Sequence, residues 1–366
     1  MNITFPHLGN TCFAAKALFH DLGIEYTIPP FTNKEMLQIG SKHSPEEMCL
    51  PYKLMLGSYI KAIEEGADTL LLPGSCGPCR FGEYGELQKN ALEKLNYKVD
   101  LILLDKPAAI GKGEFINRIN KINKVSKVSP LTKVKAVKLA HEIINLMDNI
   151  EGELRYLAGY EKKTGECRKL LKACKKEAFD SNGTDQTVKV LKKYKRKIKN
   201  IELDKNKNPI KIAIIGEIYT ILEPFSNLHI EDKLMDMGVS TLKSLTPSWW
   251  VKNMLLSVIK LNSLDMRLAS KKYLPYYIGG HCRESVGDAV LFKQKDFHGA
   301  IQIFPMGCMP EIVCKAILPT IAKEENFPIM SLVVDELTGE SGFDTRVEAF
   351  VDLLERRNFE NVSYGS

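Results

Sequence analysis

Nine cysteines punctuate this chain, and four of them sit among glycines and prolines rather than on apolar helix faces. Cys76 and Cys79 form a C-x2-C pair in Pro73-Gly-Ser-Cys-Gly-Pro-Cys-Arg-Phe-Gly. Cys308 stands in Phe304-Pro-Met-Gly-Cys-Met-Pro-Glu, and Cys49 in Glu46-Glu-Met-Cys-Leu-Pro-Tyr-Lys. Thiolates in such loops are metal ligands or nucleophiles before they are packing groups. Small residues let the backbone approach a bulky anionic cluster and turn its amides toward the sulfides. A helix that starts just after a ligand adds the positive end of its dipole, and Cys49 and Cys308 both precede helical patterns. A C-x2-C pair also occurs in redox dithiols and zinc sites. A zinc ribbon wants a second close pair, which the sequence lacks, and a thioredoxin-like pair opens a helix directly. Three readings stay open on spacing alone: a metal or cluster, a redox dithiol, or structural thiols.

The elements that must position these residues alternate in two blocks. Residues 1–6, 24–28, 69–72 and 99–104 read as strands; 12–22, 33–40, 52–65 and 83–96 read as helices between them. The run Thr69-Leu-Leu-Leu is apolar throughout, as a parallel strand covered on both faces should be. A second block starts at Pro209. It has strands over 210–215, 299–304 and 328–334, and helices over 230–237, most of 247–272, 310–324 and 345–357. Alternation of this kind predicts α/β architecture: two Rossmann-like parallel-sheet domains with a helical insertion between them. The expected boundaries are 1–108 for an N-terminal α/β domain, 109–207 for a basic helical connector, and 208–366 for a C-terminal α/β domain. In parallel sheets ligands gather at the carboxyl ends of strands. Cys76 and Cys79 follow the strand 69–72 and Cys308 follows 299–304, so the expected meeting place is a cleft between the domains.

Composition limits the classes further. The net charge of +6 on 366 residues is too small for a polybasic nucleic-acid binder, although roughly half the Lys and Arg fall between 111 and 210. A solvated helix face explains that bias, and binding of an anionic partner is the alternative. No apolar stretch is long enough for a membrane span, and the N-terminal MNITFPHLGN lacks the basic and apolar regions of a secretory signal. The expectation is a cytoplasmic protein with reduced thiols.

Further stretches carry a resemblance. Ser44-Pro-Glu-Glu-Met-Cys-Leu-Pro-Tyr-Lys-Leu-Met-Leu-Gly and Cys76-Gly-Pro-Cys-Arg-Phe-Gly-Glu-Tyr-Gly-Glu-Leu-Gln lie in the first block. Gly216-Glu-Ile-Tyr, Pro224-Phe-Ser-Asn, Gly279-Gly-His, Cys308-Met-Pro-Glu-Ile-Val and Asp335-Glu-Leu-Thr-Gly-Glu-Ser-Gly-Phe-Asp-Thr-Arg-Val-Glu-Ala-Phe lie in the second. Together they resemble the 2-hydroxyacyl-CoA dehydratase superfamily, in particular its branch of CoA-substrate-specific activase-related and double-cubane proteins. The resemblance implies a low-potential 4Fe-4S cluster, or a double-cubane 8Fe-9S cluster. It implies reduction by a separate ATP-hydrolysing activator of the actin/Hsp70/sugar-kinase fold, then reductive chemistry on an acyl-CoA or another small molecule. Cys49, Cys76 or Cys79, and Cys308 would hold the iron. Dehydratases use three cysteines and two unlike subunits, so the second cysteine of the pair and the single chain depart from that pattern. An electron-transfer accessory protein and a zinc or thiol protein without a cluster remain the alternatives, and a homodimer is compatible with either.

Other residues are weighed against plainer roles. Cys12, Cys282 and Cys314 are candidates for a second cubane or else small buried hydrophobes; Cys167 and Cys174 lie in the charged helical segment and read as inert. His281, after two glycines, is a candidate proton donor. Glu336 and Glu340 are candidate acid–base groups with Arg346 as their structural partner. Arg80 could tune a cluster or hold a phosphate. Gly216-Glu-Ile-Tyr is a strand-end turn, not a dinucleotide fingerprint.

Overall fold

The computed structural model describes all residues except 75–78, 105–109, 258–260 and 365–366, together with the backbone but not the side chains of 359–364. The chain is α/β, with two Rossmann-like domains built on two four-stranded, all-parallel sheets. It divides into two compact units. The first comprises 1–149, 173–196 and 246–262; the second comprises 150–172, 197–245 and 263–366. The helical segment 109–207 is thus shared between the two units.

In the first unit, strands β1 (Asn2–Thr4), β2 (Glu25–Tyr26), β3 (Thr69–Pro73) and β4 (Asp100–Leu104) lie in the order β2-β1-β3-β4. The order turns around between β1 and β3, so their carboxyl ends form the topological switch point. Helix α1 (Thr11–Leu22) links β1 to β2 and stops at Gly23, whose φ of +61° suits glycine and lets its N–H close on the His20 carbonyl. Helix α2 (Lys34–His43) starts where Asn33 accepts hydrogen bonds from the N–H groups of Glu35 and Met36. Helix α3 (Leu50–Glu64) crosses it and leads into β3. Helix α4 (Tyr84–Lys94) joins β3 to β4. Beyond the sheet come α5 (Lys112–Val125), α6 (Pro130–Leu157), α7 (Glu166–Asp180) and α8 (Gly183–Ile198).

The second sheet has β5 (Lys211–Gly216), β6 (Ser240–Leu242), β7 (Gly299–Pro305) and β8 (Ile329–Val334), in the order β6-β5-β7-β8. That is the first sheet's order repeated. Helices α9 (Ile218–Leu222) and α10 (Ile230–Asp236) follow β5, and α11 (Pro247–Ser257) and α12 (Leu264–Ser270) follow β6. Helix α13 (Cys282–Gln294) leads into β7, α14 (Met309–Glu324) joins β7 to β8, and α15 (Glu340–Tyr364) ends the chain. All seven residues of β7 are buried, as a central parallel strand requires. Its one long polar side chain, Gln302, is held from both sides: Ser331 donates to its Oε1 at 2.7 Å, and its Nε2 donates to Glu311.

The strands other than β6 lie where the sequence pattern puts them, but four elements differ from expectation, one of them α9, which starts inside the Gly216-Glu-Ile-Tyr stretch read as a turn. Strand β6 and helix α13 carry no clear period. Helix α13 is buried almost all round, so its apolar residues trace no stripe. Helix α15 begins at Glu340, five residues before the predicted Thr345. Among the described residues no helix is long and apolar enough to cross a membrane.

Candidate thiol site

Each sheet presents cysteines at its carboxyl edge, where two helices begin. In the first unit, Cys49 is the N-cap of α3, with extended backbone (φ −68°, ψ 154°) and Pro51 in the first turn. Proline suits this place because it has no N–H to leave unpaired. Cys79, also extended (φ −74°, ψ 129°), caps the 3-10 turn Arg80–Glu83 that runs into α4. Two contacts bind these segments together. The Arg80 guanidinium donates to the Glu47 carbonyl at 2.7 Å, and the Cys49 Sγ is 2.5 Å from the Tyr84 hydroxyl. Tyr84 is fixed by its ring neighbours Phe81 and Tyr52, at centroid distances of 4.9 and 5.2 Å. The Lys53 amine, on a buried side chain, reaches back to the Glu46 carbonyl at 3.0 Å. The loop before Cys49 is thereby held over the helix it caps. Cys76 lies outside the described residues.

The second unit repeats the arrangement. Cys308 is the buried N-cap of α14, extended (φ −74°, ψ 96°), again with a proline, Pro310, in the first turn. Gly307 before it has φ +76°, which favours glycine. Gly280 lies against Pro310: a Cβ there would come within 2.8 Å of the proline ring. This brings the Gly279-Gly280-His281 loop to the start of α14, with His281 as N-cap of α13. Cys49 stands before the helix that leads into the third strand of its unit, and Cys282 opens the matching helix. Cys79 and Cys308 both follow that third strand.

The remaining cysteines are in different surroundings. Cys282 and Cys314 are fully buried in the apolar core of the second unit, beside Val286, Leu318 and Phe327. Burial pushes the Cys314 thiol well up, and a hydrogen bond with Cys282 adds to this. Burial also raises the Cys167 thiol, helped by Glu161, and Cys174 is equally enclosed. Cys12 is buried in the first turn of α1, its Sγ 3.7 Å from the Gly9 carbonyl.

One expected pairing is corrected. Arg346 is not the partner of Glu340: it donates to the Ser331 carbonyl at 3.0 Å. Lys233 takes Glu340 at 2.9 Å and Asp344 at 2.5 Å. Arg80 is a strap on the Cys49 loop. Glu336 lies exposed in the turn after β8.

The sequence reading missed a group of buried carboxyls at the same edge of the second sheet. Glu311, in the first turn of α14, receives Ser285 Oγ at 3.1 Å and Gln302 Nε2 at 2.9 Å. Burial raises its carboxyl to about 7. Asp288 is likewise raised to about 7 by burial, against a hydrogen bond from Ser244. Glu284 lies one turn before Asp288 on α13 and keeps one buried oxygen without a partner. The visible signal was the lone Gln302 in an apolar strand, which needs a polar mate.

Thiolates at helix N-termini are soft, anionic donors in an environment that favours negative charge. Such donors fit an iron–sulfur cluster or zinc and not a hard cation. Among the described residues no three Cys, His, Asp or Glu side chains are gathered as metal ligands would be. Fold and site together define a two-domain parallel α/β protein with cysteines at the sheets' carboxyl edges. Residues 9–78, which include Cys12, Cys49 and Cys76, match the family model of the CoA enzyme activase uncharacterised domain. No curated protein matches the chain.

Proposed function

We propose that the chain is an iron–sulfur protein related to the 2-hydroxyacyl-CoA dehydratases, reduced by an ATP-hydrolysing activator and acting on an acyl-CoA or another small molecule. The observation that carries this reading is the tying of the Cys49 loop to the turn that follows Cys79, through Cys49 to Tyr84 and Arg80 to the Glu47 carbonyl. The match of residues 9–78 to a CoA enzyme activase domain supports the activator and acyl-CoA part. Cys49, with Cys76 and Cys79, would hold iron in the first unit, and Cys308, in the same N-cap setting, is the candidate ligand of the second. A 4Fe-4S cluster, when bound, supplies low-potential single electrons. The chain's own residues do the rest. The N–H groups and dipoles of α3 and α14 stabilise negative charge. Tyr84 fixes the Cys49 sulfur, Arg80 holds its loop, and His281, with Glu336, is the candidate proton donor.

The test is anaerobic purification with iron, sulfide and EPR analysis. The expected protein is brown, with about four irons, or about eight for a double cubane. Ser at Cys49 or Cys308 should abolish iron binding, and Ser at Cys167 or Cys174 should leave it intact. Colourless protein holding stoichiometric zinc would overturn the reading, as would full iron content in both Cys76→Ser and Cys79→Ser. Addition of cyanide, azide or an acyl-CoA to the reduced protein then separates an open site from a closed electron carrier. Only an iron with an exchangeable ligand changes its EPR spectrum.

A further inference from the structure

The basic helical segment is not used by the proposed function, and one corner of it has an unusual surface. None of the residues of α5 is buried. A 14-residue helix is marginal in water without packing. Yet α5 exposes Ile116 and Ile119, 54 and 39% accessible and one turn apart. The first turns of α6 add a second aliphatic row: Leu131, Val134 and Val137, at helical spacing, are 84, 70 and 57% exposed. Exposed apolar surface of this kind marks an interaction site. The two helices are fastened into one corner. Lys133, on α6, donates to the Asn123 carbonyl at 3.0 Å, to the Asn123 side-chain oxygen at 2.7 Å and to the Ser126 carbonyl at 2.9 Å. Ser126 Oγ donates in turn to the Leu22 carbonyl at 2.7 Å, which ties the corner to the end of α1. All of these residues belong to the first unit.

The charge around the corner is one-sided. Between residues 111 and 140 there are eight Lys and Arg against one acid, Glu114. Arg118 is paired with Glu114, and Lys135 with Asp185. Lys112, Lys121, Lys124, Lys127 and Lys138 are exposed and have no ion-pair partner among the described residues. The occupant must be anionic and must accept aliphatic side chains at its surface. An acidic protein and an anionic bilayer both meet that description, and composition separates them. Protein interfaces are depleted in Lys and draw their energy from Tyr, Trp and Arg. This corner has no Tyr or Trp, and its one arginine is already engaged. Lysine suits a bilayer. Its ammonium is a point charge that asks for no fixed geometry, and its stem can lie along apolar surface while the head stays at the phosphates. Each such lysine adds attraction to an anionic leaflet. Exposed Ile, Leu and Val are the groups that a helix lying on a membrane sinks below the headgroups.

We propose that the α5–α6 corner docks on an anionic lipid surface, where the chain lies peripherally without spanning the bilayer. The inference does not depend on a cluster. The experiment is co-sedimentation of the full chain with vesicles of neutral phosphatidylcholine and with vesicles that also hold about 30% of an anionic phospholipid. Each is done at about 0.1 M and about 0.5 M salt, since exposed charges are screened. The expected result is binding to the anionic vesicles alone, weakened about tenfold at high salt. On those vesicles the α5 amides should exchange about tenfold more slowly than in solution, because a helix without buried residues opens readily until it is covered. Lys121→Glu with Lys124→Glu should lower partitioning about tenfold, and so should Leu131→Asp with Val134→Asp. Lys189→Glu with Lys199→Glu makes the same change in net charge at α8, which exposes no large apolar side chain, and should leave binding unchanged. Failure to bind the anionic vesicles overturns the proposal and leaves an acidic protein as the occupant. Equal binding to neutral vesicles overturns it too. Parental binding by Leu131→Asp with Val134→Asp would reduce the corner to a plain polyanion site, and an equal loss in the α8 variant would mean that overall charge acts instead; either result rejects lipid docking at this corner.

Discussion

Glu311 and Asp288 are carboxyls that have been taken out of water, and their protonation couples to folding. An ordinary carboxyl ionises near pH 4. In the native protein burial raises both groups to about 7. Between those limits the folded chain binds more protons than the unfolded chain. Their contribution to stability is therefore fully present below about pH 4 and is lost as pH rises through about 7. The variant Glu311→Gln keeps a carbonyl to accept from Gln302 and cannot ionise. At about pH 4 and below it should match the parent in urea unfolding, and by about pH 8 it should be the more stable of the two by up to roughly 3 kcal/mol. Urea midpoints that move in parallel with pH for both proteins would show that Glu311 titrates normally. The thiol residues speak at this scale as well. The Cys-Leu-Pro and Cys-Met-Pro triplets announce N-caps in the sequence itself, because proline is tolerated in a helix's first turn. Buried carboxyls announce nothing, because burial is a tertiary property and an isolated Glu reads as surface.

At the scale of elements, the crossing of α2 and α3 positions Cys49. Gly40 and Gly57 let the two backbones touch: a Cβ on Gly57 would lie 1.9 Å from the Met36 carbonyl oxygen, and one on Gly40 would lie 1.7 Å from that of Lys53. No flexible side chain can yield there, so Gly57→Ala must push the helices apart. It should cost about 3 kcal/mol, the upper end for overpacking. Because Cys49 caps α3, the shift should also move its sulfur from Tyr84 and lower iron retention. A Gly57→Ala protein with parental melting temperature and iron content would show that the crossing has slack. Except for β6, the strands of both sheets were legible in the sequence because parallel strands buried on both faces read as continuous apolar runs, such as Leu70-Leu-Leu and Ile212-Ala-Ile-Ile. Helix α13 was not. It mixes buried Glu284, Ser285 and Asp288 with Val286 and Val290, so it shows no amphipathic period. The early start of α15 was hidden by Thr338-Gly339, which looks like a loop but only precedes the helix. The correct partner of Glu340, Lys233, is remote in sequence and could be found only through the fold.

Over the whole molecule, two sheets of identical strand order suggest two separable halves, but the chain is not laid out that way. It passes between the units five times, at 149/150, 172/173, 196/197, 245/246 and 262/263. The first unit takes its sheet from the N-terminal stretch and much of its support from later residues. Phe13 packs edge-on against Phe179 at 6.2 Å, and Lys16 donates to the carbonyls of Phe179 and Ser181. Asp21 receives both the backbone N–H and the hydroxyl of Thr184. Asp148 receives Asn10 at 2.9 Å and the Ser248 N–H at 2.7 Å. A fragment ending at residue 149 keeps all four strands of the first sheet yet loses Phe179 from Phe13, the two carbonyls from Lys16, Thr184 from Asp21 and the Ser248 N–H from Asp148. Uncovering Phe13 and taking the 179–184 partners from Lys16 and Asp21 removes several interactions worth about 1 kcal/mol each, and marginal stability leaves little reserve. The fragment 1–149 should therefore lack a cooperative urea transition and protected amides in β1 and β3, whereas the full chain shows both. Fusing 173–196 and 246–262 to it through flexible linkers should bring the transition back. Cooperative unfolding and strand protection in 1–149 alone would mean that the sheet carries its own stability, and that the later segments serve the site or the second unit instead.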